Sequence, residues 1–171
     1  MGTAKARQPN SRIRPMTGRD LNPVAAIEAV SFGTEAWPRQ VFKKLLQTFE
    51  QSRPKRGGLW VAEDPGTGEV LGYVGIEVSA LWGEVDIINI AVAPEHRRRG
   101  VGVALVQWVI RLCRRRGIPL LWLRVRESNR SARGFYRRMG FQQRGRFDGY
   151  YQDPDEPAVL MAMNLVLPHT S

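Results

Sequence analysis

Three groups of residues have types and spacings suited to chemistry. The first is Arg97-Arg98-Arg99-Gly100-Val101-Gly102-Val103, an R-x-x-G-x-G pattern between an apolar run ending at Val92 and an amphipathic run beginning at Val101. Two glycines at a strand-to-helix junction remove Cβ atoms that would keep a ligand off the backbone. A helix start adds unpaired N–H groups and the positive end of its dipole. That combination suits a pyrophosphate. The spacing is neither the P-loop pattern nor the dinucleotide G-x-G-x-x-G. The same residues also fit a plain turn beside a solvated arginine run. The second group runs from Ser128 to Phe141 and centres on Tyr136, which is either a reactive phenol or a core tyrosine. The third is a set of carboxylates, Glu84, Asp86 and Glu127, at the ends of two apolar runs. Each can take a proton or simply sit solvated.

Such side chains need elements to position them. Val85 to Ala93 is apolar almost without interruption, as in a strand buried on both faces, and Leu120 to Val125 reads the same way. Between them, Val101 to Arg116 turns Leu105, Trp108, Val109 and Leu112 to one side, and Gly117 and Pro119 end it. A second helix follows Ser128 or Asn129 as N-cap, carries Ala132, Phe135, Tyr136 and Met139 on one face, and stops at Gly140. Upstream, Arg12 to Met16 suggests a strand. Asp20 to Phe32 suggests a helix with Asp20 as N-cap and Val24, Ile27 and Val30 or Ser31 inward. Pro38 opens another helix, with Val41, Phe42, Leu45, Leu46 and Phe49 apolar. Gly58 to Glu63 and Glu69 to Val78 form a hairpin through Pro65-Gly66-Thr67-Gly68. Phe141 to Phe147 and Ala158 to Val166 read as closing strands.

The 171 residues suit one domain with a real core. A single cysteine, Cys113, excludes an intramolecular disulfide, in keeping with a reducing cytoplasm. No apolar run has membrane length, and no leader-like segment follows Met1. His96 and His169 are far apart in sequence, so no metal is expected. The formal charge of +10 is almost wholly arginine. It fits a nucleic-acid or ribosome-facing surface, steering of an anionic ligand, or an ordinary solvated surface. No RNP motif, zinc finger or basic zipper accompanies it.

The two glycine- and serine-led motifs, in this order and separation, resemble those of the GNAT superfamily of N-acetyltransferases. Arg97 to Gly102 resembles its coenzyme A pyrophosphate loop. Ser128 to Phe141 resembles its S-N-x-x-A-x-x-x-Y-x-x-x-G-F segment. The resemblance implies an α+β fold, with a mixed, mostly antiparallel sheet opened by a V-shaped splay and flanked by helices. It implies a single domain over residues 12–167, between a disordered basic tail, 1–11, and a short tail, 168–171. Acetyl-CoA would enter the splay, between the strand ending near Val92 and the strand Leu120 to Val125. Its pyrophosphate would lie on Arg97, Arg98, Arg99, Gly100, Val101, Gly102 and Val103, and its pantetheine arm along Ile90, Ala91 and Val92. Asn129 would sit beside that arm, and Tyr136 would be the general acid.

Within the superfamily, Asn89 to Val106, Leu120 to Asn129 and Tyr150 to Met161 resemble the RimI-type Nα-acetyltransferases, as do Ile27-Glu28, Phe32 and Trp37 near the front. The implied acceptor is the α-amine of a protein N-terminus, possible on a ribosomal protein. The chain also departs from that pattern. The glutamate that serves as general base in L-W-L-E falls on Arg124, which cannot accept a proton, and an aspartate near the end falls on Pro157. Asp86 or Glu84, with Glu127 as a weaker candidate, or a water chain, would then take the base's place. Two other readings stay open: acetylation of a small amine, and a catalytically weakened module that binds coenzyme A or docks on RNA.

Overall fold

Seven strands pair in the order β1-β2-β3-β4-β5-β7-β6. The computed structural model describes residues 11–52, 55–79 and 83–166, so the expected tails lie largely outside them. The chain runs β1 (Arg12–Pro15), α1 (Leu21–Phe32), α2 (Arg39–Gln51), β2 (Gly57–Glu63), β3 (Val70–Val78), β4 (Val85–Val92), α3 (Val101–Arg115), β5 (Leu120–Arg126), α4 (Arg130–Met139), β6 (Gln142–Gln152) and β7 (Asp155–Asn164). All pairings are antiparallel except β4 with β5.

That parallel pair decides the shape. It holds only over Val85↔Leu121, Asp86↔Trp122 and Ile87↔Leu123. Beyond it the strands part and β4 continues alone to Val92. On its other side β4 stays joined to β3, with Ile88 bulged out between Ile76↔Ile87 and Gly75↔Asn89. A bulge bends its strand and raises local twist. The sheet therefore opens as the V expected. Two apolar clusters pad it. One unites α1 and α2 with Leu59, Val61 and Tyr73. The other unites α3 and α4 with Leu121, Leu123, Val125, Met161 and Met163, which puts α3 and α4 on the same side of the sheet.

Several sequence expectations need correction. β4 and β5 are not buried on both faces. Along β5, Leu121, Leu123 and Val125 are buried while Trp122, Arg124 and Arg126 are half-exposed. Along β4, Asp86, Ile88, Asn89, Ile90 and Val92 are half-exposed. Their second face lines the opening of the V rather than packing under a helix. Asp20 holds the N-cap position of α1, as expected, but its side chain makes no capping hydrogen bond to the helix. It ends a 3₁₀ turn, Gly18–Asp20, and its buried carboxylate accepts the Thr17 N–H (2.8 Å) and both amino groups of Arg14 (2.8 Å each). Arg14 also pairs with Glu63, which joins β1 to β2. Of the two alternatives for the inward position, Val30 points outward, 67% exposed, and Ser31 is the half-buried one, as the α1 stripe follows Val24, Ile27 and Glu28. The closing strands differ too. β6 runs on to Gln152 and turns at Asp153-Pro154, since Tyr151↔Glu156 and Gln152↔Asp155 resume pairing beyond a break after Phe147.

Close approach of β3 to β4 fixes one glycine. A Cβ on Gly72 would lie 2.7 Å from the Ala91 carbonyl oxygen and 3.2 Å from the Val92 Cα. Backbone cannot yield as a flexible side chain can. We predict that Gly72→Ala destabilises the protein by about 1–3 kcal/mol, the usual range for overpacking, measured by urea unfolding. An unchanged midpoint would show that the β3–β4 spacing relaxes freely.

Candidate active site

The V encloses a groove of about 760 Å³. Its floor is Asp86 to Ile90 of β4 and Leu123 to Arg126 of β5. One wall is Asn129, Ala132 and Tyr136 at α4, and the other is Phe32, Glu35 and Trp37 between α1 and α2. Tyr150 and Tyr151 of β6 close one side.

From the groove, β4 leads to the α3 N-terminus. Pro94–His96 makes a 3₁₀ turn, and Arg98 (φ 59) and Gly100 (φ 83) take left-handed backbone. Such a φ suits glycine at 100 and is unusual for Arg98. Ala104 closes the first helical bond onto the Gly100 carbonyl (3.0 Å), so the N–H groups of Val101, Gly102 and Val103 have no intrahelical acceptor. Gly102 is informative in another way. A Cβ there would come no nearer than 3.6 Å to Phe135 and 3.7 Å to Val92, ordinary contact distances. Protein packing does not require that glycine, and its bare backbone leaves room for something outside the chain. Arg97 is spent on structure. Its guanidinium donates to the Val92 carbonyl (3.0 Å) and the Ser31 hydroxyl (3.1 Å). Arg98 and Arg99 are exposed.

Ile90, Ala91 and Val92 pair with Val74, Tyr73 and Gly72 of β3, and after the splay nothing pairs on the β5 side. The Ile90 N–H is taken by the side-chain oxygen of Asn89 (3.0 Å). The Asn89 amide donates to Glu28 (3.0 Å). Glu28 is 1% exposed and also accepts the Trp37 N–H (2.9 Å) and the Tyr73 hydroxyl. Burial beside that carboxylate drives the Tyr73 phenol far above its usual range. One buried carboxylate thus ties α1, the α1–α2 connection, β3 and the edge of β4 together.

Asp86 and Arg124 form an ion pair at 2.8 Å on the groove face. The guanidinium lies 4.5 Å from the Trp122 ring and 5.7 Å from that of Tyr150. Burial pushes the Asp86 carboxyl up, against the opposing pull of Arg124. Its second oxygen, Oδ1, is buried with no hydrogen-bond partner among the described residues. Glu77, opposite Asp86 on β3, also lines the groove. Glu84 does not. It precedes β4, where its carbonyl accepts the Ser79 N–H (2.8 Å). Glu127 also stays outside the lining, paired with Arg146 (2.8 Å), which holds its carboxyl below the usual range. Tyr136 lines the groove from α4, packed against Phe135 and Phe141, and burial raises its phenol. Asn129 lines it too, although its Oδ1 caps α4 through the Ala132 N–H (3.0 Å).

Arg126 is the clasp at the rim. It pairs with Glu35 and with Glu156 (2.7 Å), donates to the carbonyls of Asp153 (3.1 Å) and Pro154 (3.2 Å), and lies 4.2 Å from the Tyr151 ring. Glu156 in turn accepts the Ser128 N–H and hydroxyl, each at 3.0 Å. The segment before α2, the β6–β7 hairpin and the start of α4 are thereby held at one point.

A family model described as the acetyltransferase (GNAT) family matches residues 21–141. The chain belongs to the GNAT family. A Bacillus subtilis protein provisionally named ribosomal protein bS18-alanine N-acetyltransferase is 34% identical over 150 residues, covering 87% of this chain and 92% of that one. The crystal structure of the ribosomal-protein-S18-alanine N-acetyltransferase from Escherichia coli superposes with a TM-score of 0.77 at 26% identity, covering 94% of this chain and 97% of that one. The streptothricin acetyltransferase of Streptomyces lavendulae is 36% identical over 99 residues, 56% of this chain and 52% of its own length.

For a GNAT enzyme built on this sheet, sequence reading missed two structural centres. Glu28 was visible only as part of a pattern, because a glutamate in a helix gives no sign of being buried. Arg126 gave no signal, since its partners are 91 and 30 residues away. The fold also brings ligand atoms of Glu69, Glu95 and His96 within 4.8 Å of one another on the surface, away from the groove. Pairing β3 against β4 does this, and histidine spacing alone could not show it. In this GNAT domain Glu28→Ala leaves the Trp37, Asn89 and Tyr73 donors unpaired. At about 1–3 kcal/mol for each buried orphan, we predict a loss of at least about 3 kcal/mol, checked by chemical denaturation. A loss under 1 kcal/mol would mean the network contributes little.

Proposed function

We propose that this GNAT enzyme transfers an acetyl group from acetyl-CoA to the α-amine of a protein N-terminus, with a ribosomal protein as acceptor. One observation carries the reading: a groove at the splay whose β4 edge is free on one side and runs to a helix start with free amides. The residues fit the cosubstrate. Val101, Gly102 and Val103 offer N–H groups for a pyrophosphate, with room left by Gly102. Ile90, Ala91 and Val92 offer a strand edge with no partner strand on the β5 side, where an extended pantetheine arm would compete with the Asn89 side chain for the Ile90 N–H and with Arg97 for the Val92 carbonyl. Acetyl-CoA supplies the acetyl group already activated as a thioester.

The chain's own residues then manage two protons. An α-amine titrates near 7.7–8.0, so a sizeable fraction is neutral at physiological pH, and a strong base is not needed. Arg124 disfavours an ammonium in the groove by like-charge repulsion. Asp86, which lines the groove beside Arg124, takes the amine proton on its carboxylate. Tyr136 gives its phenolic proton to the departing thiolate; burial tightens the phenol's hold on that proton and so opposes the transfer, and a thiolate formed in the same desolvated groove is itself more basic, which offsets the difference. Trp37, Tyr150 and Tyr151 form the side of the groove suited to a peptide.

The streptothricin acetyltransferase likeness supports a second reading, a small cationic amine as acceptor, and the carboxylate of Glu77 in the groove favours it. Mass spectrometry separates the two. The protein is incubated with acetyl-CoA and a peptide panel of varied first residues, including a bS18-type N-terminus, and in parallel with polyamines and streptothricin. We expect peptide α-amines to be acetylated. Turnover of small amines alone, or none at all, would overturn the proposal.

The Asp86–Arg124 pair makes a separate prediction in the pH profile of kcat/KM. Asp86 must be ionised to act. Arg124 lowers its proton affinity, so Arg124→Ala should move the acidic limb to higher pH. Asp86→Asn should reduce kcat by about 10²–10⁴-fold, the usual worth of general acid–base catalysis, and by more than Arg124→Ala does. An acidic limb at the same pH in the wild type and Arg124→Ala would remove Asp86 from the role.

A further inference from the structure

The positive charge of this protein is segregated along the chain. Residues 97–147 contain 15 arginines, no lysine and a single acid, Glu127, whereas the rest of the chain contains 11 basic and 15 acidic residues. The whole excess of +10 therefore arises in the stretch that forms α3, β5, α4 and the start of β6. Folding neutralises part of it. Arg124, Arg126 and Arg146 have carboxylate partners, and Arg97 and Arg133 donate to backbone carbonyls. Arg146 takes Glu127, so the only acid of the stretch is already used.

Of the ten arginines that remain, Arg98 and Arg99 lie before α3, Arg130 starts α4 and Arg144 is on β6; the other six lie on two helix faces. Arg111, Arg114 and Arg115 point outward from α3, opposite the buried Leu105, Val109 and Leu112. Arg116 follows at the helix end. Arg137 and Arg138 point outward from α4, opposite Tyr136. All six are exposed, and none forms an ion pair among the described residues. α3 and α4 pack into the same apolar cluster, and both end beside the start of β5 and the end of β7: Ile118 follows α3 into Leu120, and Gly140 meets Met163, which pairs with Leu121. The arginines of the last turns suit the helix dipoles, but that effect favours one or two cations per helix end. It does not account for Arg111, or for a stretch of 51 residues with a single acid. Steering of acetyl-CoA does not account for them either. Arg114 lies 14 residues beyond Gly100, roughly 20 Å along a helix at 1.5 Å per residue.

We infer that the outer faces of α3 and α4 bind RNA through its phosphodiester backbone. The side chains suit that partner. Arginine presents a planar fork that grips phosphate oxygens in pairs, and every cation of the stretch is arginine rather than lysine. Arg115 also lies 5.3 Å from the ring of the half-buried Trp108, which gives the patch one flat stacking surface. RNA rather than DNA or an acidic protein follows from the proposed acceptor, since a ribosomal protein carries its N-terminus beside RNA. The inference rests on that reading to this extent.

The test measures RNA binding without any acetylation step, so that its failure and that of the proposed acceptor are distinguishable. Fluorescence anisotropy is recorded with a labelled RNA hairpin, with duplex DNA of the same sequence and with polyglutamate, at 50–200 mM salt. We expect RNA to bind at least as tightly as DNA, with affinity falling about a hundredfold or more over that range, as several phosphate contacts require. The quadruple variant Arg114→Gln, Arg115→Gln, Arg137→Gln, Arg138→Gln should lose at least tenfold in RNA affinity and show a shallower salt slope, with unchanged melting temperature and peptide acetylation. The corresponding Arg→Lys variant, which keeps the charge, should retain most of the binding and guards against loss of fold. Equal RNA affinity in the wild type and the Gln variant would overturn the inference. So would tighter binding of DNA or of polyglutamate than of RNA.

Discussion

The structure depends on one interruption of hydrogen bonding. β4 and β5 are paired for three residues and then part. Continued pairing would have satisfied the backbone of β4 on both sides and produced an ordinary mixed sheet with no interior opening. Ending it after Ile87↔Leu123 costs the hydrogen bonds of several residues. The edge left without a partner strand is the surface on which the proposed function rests. The bulge at Ile88 turns the rest of β4 away, and α4 and the segment before α2 keep the two arms apart with side chains.

A gap in a sheet invites collapse, and charged pairs brace this one. Asp86 with Arg124 spans β4 and β5 just where they separate. Arg126 with Glu35 and Glu156 spans the rim. Glu28 ties the opposite wall to β3 and β4. These pairs are partly shielded from water, so removing one partner costs more than forming the pair gains. Apolar packing could hold the arms together as well, but it would fill the groove.

Most of the fold was legible in the sequence because it rests on local signals. Gly117 and Gly140, each left-handed at a helix end, stop α3 and α4 where their residue types predict. Periodicity gave the buried faces of α2, α3 and α4. Two kinds of error have physical causes. Apolar runs suggested full burial of β4 and β5, because the lining of a half-open groove can use the same residue types as a core. Asp20 stands at the N-cap position as its residue type suggests, but a capping carboxylate looks the same in sequence as one paired with Arg14, and only tertiary structure decides. At the site, the glycine loop and Tyr136 could be read from spacing. The pairing of Asp86 with Arg124 could not, since their positions, 38 apart, meet only through strand register.

The hydrogen bond from the Ile90 amide to the side chain of Asn89 has a consequence for selectivity. At the mouth of the open edge, the protein supplies its own acceptor. A visiting carbonyl that takes this amide exchanges one hydrogen bond for another and gains little from it. Under the proposed function, such a ligand would be retained for the rest of its length, by contacts made elsewhere along β4 and at the start of α3. Short carbonyl compounds gain no foothold there. Asn89 thus behaves as an internal competitor that any molecule must displace, and it is tethered to Glu28, so it returns to its place when that molecule leaves.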